Sequence, residues 1–354
     1  MGFLVSLLVL SFLIFFHELG HFLAARFFGV AVERFSIGFG PVLAKKWCCG
    51  TEWAISAIPL GGYVKMKGQD DTDPTAKSSD PDSYTMKKPW QRIIILFAGP
   101  FANFFLAFLL YLYIALSGYD VLAPKVGQVL PDSPASKAHL QKGDMILAIN
   151  GQKIKTWEDL SSIIAHSHSP LKLLIDRNGK KEIVILQPKI MKTKNIFGEE
   201  VQRPMIGIAP ANAYIKVHYS FFEAIQVAYD KTIEAGKFIL LGIEKMIEGV
   251  VSPKEIGGVL TIMDVTAKAS QAGLVALLSF TALISVNLGI LNLLPIPALD
   301  GGHIMINLYE MITKHAPSEE MLYKITLAGW IFLIGLMGLG LYNDINRLLG
   351  VYSG

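Results

Sequence analysis

The sequence predicts a multi-pass α-helical membrane protein with four transmembrane helices. A membrane-associated β-hairpin should follow the first helix, and one small αβ domain should be inserted between the second and third. Three observations carry this reading. Of the 354 residues, 52% are hydrophobic and only 17% are charged, and the mean hydropathy is +0.44. That is too apolar for a soluble globule. Four segments are long and apolar enough to cross a bilayer, which takes roughly 20 residues. Between the second and third of them lies a stretch of ordinary globular composition, punctuated by turn signals. The formal net charge of +3 selects no partner, and the absence of a basic tract or of aromatic–basic interleaving points away from nucleic acid.

The first span covers residues 1–30. It lacks a basic N-terminal region, and its apolar run continues through two histidines, so it reads as a retained anchor rather than a cleaved signal. Residues 31–92 form a loop rich in Lys and Arg, including Arg34, Lys45, Lys46, Lys65, Lys67, Lys87, Lys88 and Arg92. By the positive-inside rule it is cytoplasmic. Cys48 and Cys49 are adjacent, a poor geometry for a bridge, and read as reduced thiols. Within the loop, "EWAISAI" is rich enough in Ile and Trp for a strand, and Pro59, Gly61 and Gly62 make a turn into "YVKM". This is the expected hairpin. Gln69 to Ser83 reads as a mobile cytoplasmic loop.

The second span, residues 93–117, carries no charge. Residues 121–188 then read as strand, turn, short helix and strand, with tight turns at Asn150-Gly151 and Asn178-Gly179. An amphipathic helix N-capped by Thr156 lies between them. Residues 189–267 read as a loop-like linker followed by an amphipathic helix (Tyr219 to Glu248) lying on the membrane or the core. The third span is placed at 269–302 and the fourth at 323–347, joined on the cytoplasmic side by a turn with Lys314.

The first span holds "HELGH". At 3.6 residues per turn, His17 and His21 fall one turn apart on one helical face. Two imidazoles so placed can bind one zinc ion, and Glu18 beside them can act on water there. Three costly groups inside an apolar span need a shared reason. A catalytic zinc needs a third protein ligand and an open position. The polar insertion in the third span, "NLGILNLLPIPALDGGH", offers Asp300 and His303, and zinc accepts either donor. Pro295 and Pro297 break the helix just before them, which is tolerated at membrane depth where protein or water covers the backbone.

HELGH together with "NLLPIPALDGG" resembles the site-two protease family of intramembrane zinc metalloproteases, and more narrowly its bacterial regulator-of-sigma-E protease group. The stretches "FSIGFGP", "TEWAISAIPLGGYVKMKG" and "FAGPFANF" add to the resemblance, which runs over nearly the whole chain. It implies His17, His21 and Asp300 as zinc ligands, Glu18 as the acid–base residue, and Asn292 as a holder of the substrate backbone or its developing oxyanion. It also implies that residues 121–188 are a PDZ domain, with a single copy where the well-known enteric member has two. Such domains often read "AGL" where this chain reads "AHL", with His139 in place of the glycine.

The reaction so implied is hydrolysis of a peptide bond in or near the transmembrane segment of a single-span protein, such as an anti-sigma factor or a remnant signal peptide. A helical substrate must first be unwound, and a hairpin edge at Ile55, Ser56, Ala57, Ile58, Gly61 and Gly62 could accept it as an added strand. The resemblance places the protein in the bacterial inner membrane, its PDZ domain outside as a size filter and its active site near the cytoplasmic side. A membrane-anchored PDZ scaffold without catalysis is the alternative, but it leaves HELGH and "PALDGG" unexplained.

Overall fold

The computed structural model describes residues 2–69 and 78–351, so residues 70–77 of the expected Gln69–Ser83 loop lie outside the described residues. The chain divides into two compact units: residues 1–114 with 225–354, and residues 115–224.

The first unit begins with α1 (Gly2–Phe27), then β1 (Val32–Cys48), β2 (Thr51–Met66) and α2 (Pro89–Ser117). A Cβ at Gly20 would collide with the Ala98 carbonyl, so the bare glycine lets α1 and α2 approach backbone to backbone. Ala25, Val30, Val32, Met66, Tyr84 and Ile95 form one buried cluster that ties the foot of α1 to the sheet and to α2. Phe22 meets Trp53 edge-on at 5.1 Å, and Phe15 meets Phe35 at 5.7 Å. Each such pair adds about 0.5–1.5 kcal/mol beyond its burial.

The hairpin differs from its expected form. The chain turns tightly at Cys49-Gly50, where φ is +54° and +77°. It also reverses between Ile58 and Gly62, as expected, but the segments before and after that turn flank residues 32–37 and do not pair with each other. At Cys49-Gly50, two successive positive φ values make the tight turn whose twist matches paired strands. Gly38 and Gly40, at φ +91° and +82°, then bend β1 back across β2. As a result Phe35 pairs with both Val64 and Trp53, and Ile55 pairs with both Ile37 and Ala44. The sheet therefore runs in the order 62–66, 32–37, 51–58, 42–48. Ile55 is held on both sides, Ser56 faces Val42 and Ile58 faces Phe39, so Ile55–Ile58 is not the open edge expected for a substrate strand. The segment from Gly62, paired among the described residues with Ile37 and its neighbours on one side, is the edge beside α1.

The later part of this unit holds α5 (Phe221–Ile247, its first turn in the second unit), α6 (Val259–Ala272), α7 (Leu274–Leu293), α8 (Asp300–Thr313) and α9 (Glu319–Leu348), while α3 (Pro134–Lys137) and α4 (Trp157–Ala165) belong to the inserted domain. α1, α2, α7 and α9 are each long and apolar enough to span a membrane, as the sequence predicts. The third span, however, begins at Leu274 and not at 269, because Gly273 at φ +116° separates it from α6. α6 itself runs from the segment read as linker into the start expected for the third span. Its first turn is capped from far along the chain: the Asp344 carboxylate accepts from the amides of Gly258 (2.9 Å), Leu260 (2.9 Å) and Thr261 (3.3 Å). A cap some 85 residues away leaves no local signal.

The second unit contains β3 (Tyr119–Leu122), β4 (Val126–Val129), α3 (Pro134–Lys137), β5 (Met145–Ile149), β6 (Gln152–Lys153), α4 (Trp157–Ala165), β7 (Leu171–Arg177) and β8 (Lys180–Leu186). Thr156 caps α4 in a full capping box with Asp159. Asn150-Gly151 and Asn178-Gly179 make the expected turns, all four residues at positive φ. The domain does not stop at 188. It continues through β9 (Lys189–Lys194), β10 (Glu200–Met205), β11 (Ile208–Pro210) and β12 (Tyr214–Val217). β11 pairs with β4 and β12 with β3, while Ile206 joins Val126, Ile146 and Leu160 in the core. The stretch read as a linker thus closes the domain, because strands from its two ends need each other.

Asp144 is buried and held bidentately by Arg177 at 2.8 and 2.7 Å. Burial works against its charge, but Arg177 and the Gln141 amide prevail and hold the carboxyl below the usual carboxylate range. The carbonyl of His139 accepts a further bond from Arg177. His139 is exposed, and its φ of +58° is the left-handed conformation that glycine adopts freely. A Cβ there costs about 1–2 kcal/mol, partly offset by the greater freedom glycine has when unfolded. His139→Gly should therefore stabilise the domain by about 1 kcal/mol. Thermal unfolding of the two proteins checks this, and an unchanged or lower Tm would show that the backbone there is not strained.

Candidate metal centre

His17 and His21 stand on the face of α1 that meets α2, both buried. The Nδ1 of His21 lies 2.9 Å from the carbonyl oxygen of Ile95. A carbonyl only accepts, so Nδ1 carries a hydrogen, and in the neutral ring Nε2 is then the nitrogen that presents a lone pair. That Nε2 sits against Gly99 of α2, where any Cβ would collide with the ring. It lies 3.1 Å from Nε2 of His17.

The third group arrives from the far end of the chain. After α7 the backbone is extended at Leu294 (φ −61°, ψ 144°), turns through Ala298 at φ +73°, and enters α8 at Asp300. Pro295 and Pro297 enforce this break, since neither can donate to a helical ladder. A Cβ at Gly301 would collide with the carbonyls of Leu293 and Leu294, and one at Gly302 with that of Ile296. The two glycines after Asp300 therefore let the bend fold tightly onto the first turn of α8. Gly329 of α9 gives the same close access to Pro297.

This bend sets the Oδ2 of Asp300 3.2 Å from Nε2 of His17 and 3.4 Å from Nε2 of His21. Among the described residues, His17, His21 and Asp300 form the group of side chains able to hold a metal ion. His303, the rival donor in sequence, is not in it. The fit to zinc can be tested on these distances. Bonds of 2.0–2.1 Å in tetrahedral zinc sites imply ligand atoms about 3.3 Å apart, against 3.1, 3.2 and 3.4 Å here. The donor chemistry agrees. The Oδ2 of Asp300 is buried without a properly directed hydrogen bond, although both imidazoles are close. Three converging donors, one with its lone pair fixed by Ile95, suit a cation.

Glu18 is half-buried beside this group. A Cβ on Gly62 would lie 3.3 Å from its Cγ and 2.9 Å from Ile14, so the open edge of the sheet runs past the glutamate. Asn292 is the penultimate residue of α7, half-buried just before the bend. Sequence reasoning did not single out Asn103, which is fully buried on α2 with its amide nitrogen 3.2 Å from Nδ1 of His17. It stands inside "FAGPFANF", noted only as a stretch of resemblance, and Gly99 lies in the same run.

The model of peptidase family M50 matches residues 5–336. Curated relatives extend over the full length. A Campylobacter jejuni protein named "Putative zinc metalloprotease" is 48% identical over 98% of this chain and 94% of its own. A Helicobacter pylori protein of the same name is 43% identical, covering 98% and 100%. One from Clostridium acetobutylicum is 34% identical, covering 96% of each. Among solved structures, the PDZ domain of an SdrC-like protein from Listeria monocytogenes matches 27% of this chain and 90% of its own, at 26% identity and a TM-score of 0.20.

Proposed function

Because the chain belongs to peptidase family M50, a family of zinc-dependent metalloproteases, we propose that it is a protease that works within the membrane. It hydrolyses peptide bonds in or near the transmembrane segments of single-span proteins, anti-sigma factors or remnant signal peptides among them. The observation that carries this reading is the convergence of His17, His21 and Asp300 among apolar helices long enough to span a bilayer.

His17, His21 and Asp300 hold the zinc, which when bound supplies a Lewis acid for activating water and polarising a carbonyl. Glu18 takes the proton of the attacking water and delivers it to the leaving amine. Asn292 donates to the substrate backbone or to the developing oxyanion. The edge beginning at Gly61 and Gly62 receives the unwound substrate as an added strand next to Glu18, because main-chain pairing fixes an extended peptide without reading its side chains. The inserted domain acts as a PDZ-type filter outside the bacterial inner membrane, turning away substrates with bulky ectodomains, and the catalytic group lies toward the cytoplasmic side. Within the family this is the arrangement of the regulator-of-sigma-E group.

The test is cleavage of a tagged single-span substrate by the protein in lipid vesicles, with product ends assigned by mass spectrometry. A cut within or beside the apolar segment, abolished by chelation and restored by zinc, is expected. Cleavage confined to soluble loops, or indifferent to chelation, would remove the proposal.

A further inference from the structure

Metal ligation by a neutral imidazole settles where its hydrogen sits. If one nitrogen gives its lone pair to the metal, the other is an N–H and needs an acceptor. For His21 that acceptor is the Ile95 carbonyl, 2.9 Å from Nδ1. His17 turns the same nitrogen, Nε2, toward Asp300 and His21, so its Nδ1 must donate as well. The group facing that Nδ1 is Asn103, and the atom presented is the amide nitrogen, at 3.2 Å. The amide oxygen Oδ1 is buried and has no partner.

This orientation suits a His17 whose hydrogen is on Nε2, facing the Asp300 carboxylate, with Nδ1 accepting from Asn103. It does not suit a His17 that ligates through Nε2, for then two donors would meet. A half-turn of the Asn103 amide exchanges two groups of nearly equal size. It brings the amide's own unpartnered acceptor onto the N–H that ligation leaves on the ring. The backbone around the amide is fixed meanwhile, because the hydroxyl of Ser285 on α7 donates to the Asn103 carbonyl at 2.8 Å.

We infer that Asn103 is a positioning residue for the metal centre: its amide oxygen accepts from Nδ1–H of His17 and holds the ring with Nε2 aimed into the ligand group. The inference rests on the zinc reading above. An asparagine serves here where a fixed carbonyl serves His21, and the side chain reaches His17 from α2, so α1 and α2 are coupled through the ligand itself. Outer partners of this kind are worth 10–100-fold in metal affinity.

The experiment measures zinc affinity by competition with a chelating indicator, using the full-length protein, Asn103→Leu and Asn103→Asp, with thermal unfolding of each metal-free protein alongside. Leucine keeps the branching and the number of heavy atoms, is bulkier by its methyl hydrogens, and has no acceptor; aspartate keeps the oxygen. Affinity should fall about 10–100-fold in Asn103→Leu and stay within about threefold of the parent in Asn103→Asp, where the carboxylate replaces the amide oxygen. Unchanged affinity in the leucine variant overturns the inference. Equal losses in both variants, tracking their thermal stability, would assign Asn103 to packing alone and also overturn it. A parent that holds no zinc would remove the metal reading, and this inference with it. A parent that holds zinc beside an unaffected leucine variant would remove only the inference.

Discussion

Glu18→Gln should retain its zinc and lose its turnover, with kcat falling by about 10²–10⁴-fold, the usual share of a positioned acid–base group. Glutamine has nearly the shape of glutamate, so the helix face, the neighbouring imidazoles and the contact with Gly62 are kept. What it cannot do is accept a proton. Glu18 follows His17 directly in α1, so it sits about 100° around the helix from that ligand and outside the donor group of His17, His21 and Asp300. Zinc content should therefore be unchanged, whereas Asp300→Asn, which weakens a ligand, should lose metal and activity together. Measuring both quantities on both variants separates the roles. If Glu18→Gln cleaved at the parent rate, the proton-transfer role would pass to another group; if it emptied the site, Glu18 would belong with the groups that hold the metal.

The candidate ligands that the structure brings together were legible in sequence because their signal is local. A spacing of four puts His17 and His21 on one face, and prolines just before Asp300 announce a broken helix at a carboxylate. The choice between Asp300 and His303 was not local, and only the bend through Ala298 decides it. Where the reading failed, the deciding contact lay far away in the chain. β11 and β12 close the inserted domain against β4 and β3, and Asp344 caps α6. Gly38 and Gly40 fold β1 onto both halves of β2, which buries Ile55 between neighbours. Each of those glycines and acids is unremarkable in its own window. The same holds for Asn103 and Gly99, whose meaning depends on the imidazoles they face.

Gly99→Ala gives the sharpest test of that last point, because helix propensity and the site demand opposite outcomes. Gly99 lies within α2, where alanine is favoured over glycine by about 1 kcal/mol. On propensity alone the variant should be the more stable protein. Its new methyl group, however, would collide with His21, and the nearest atom is Nε2, the nitrogen that faces Asp300 and His17. The ring cannot retreat without giving up its bond to the Ile95 carbonyl, and α1 cannot retreat as a whole while Gly20 is seated against Ala98. Overpacking of this kind costs about 1–3 kcal/mol, and relief comes from swinging His21 out of the ligand group. Two ligands then remain where three are needed. Zinc affinity should fall by at least about 100-fold, an effect at or beyond the upper end for loss of an outer partner. The thermal stability of the metal-free protein should change by no more than the small difference between the strain and the propensity gain. Chelator competition and unfolding curves on the same preparations measure the two together. A variant that bound zinc as tightly as the parent would mean that Nε2 of His21 does not occupy the position from which the catalytic account begins.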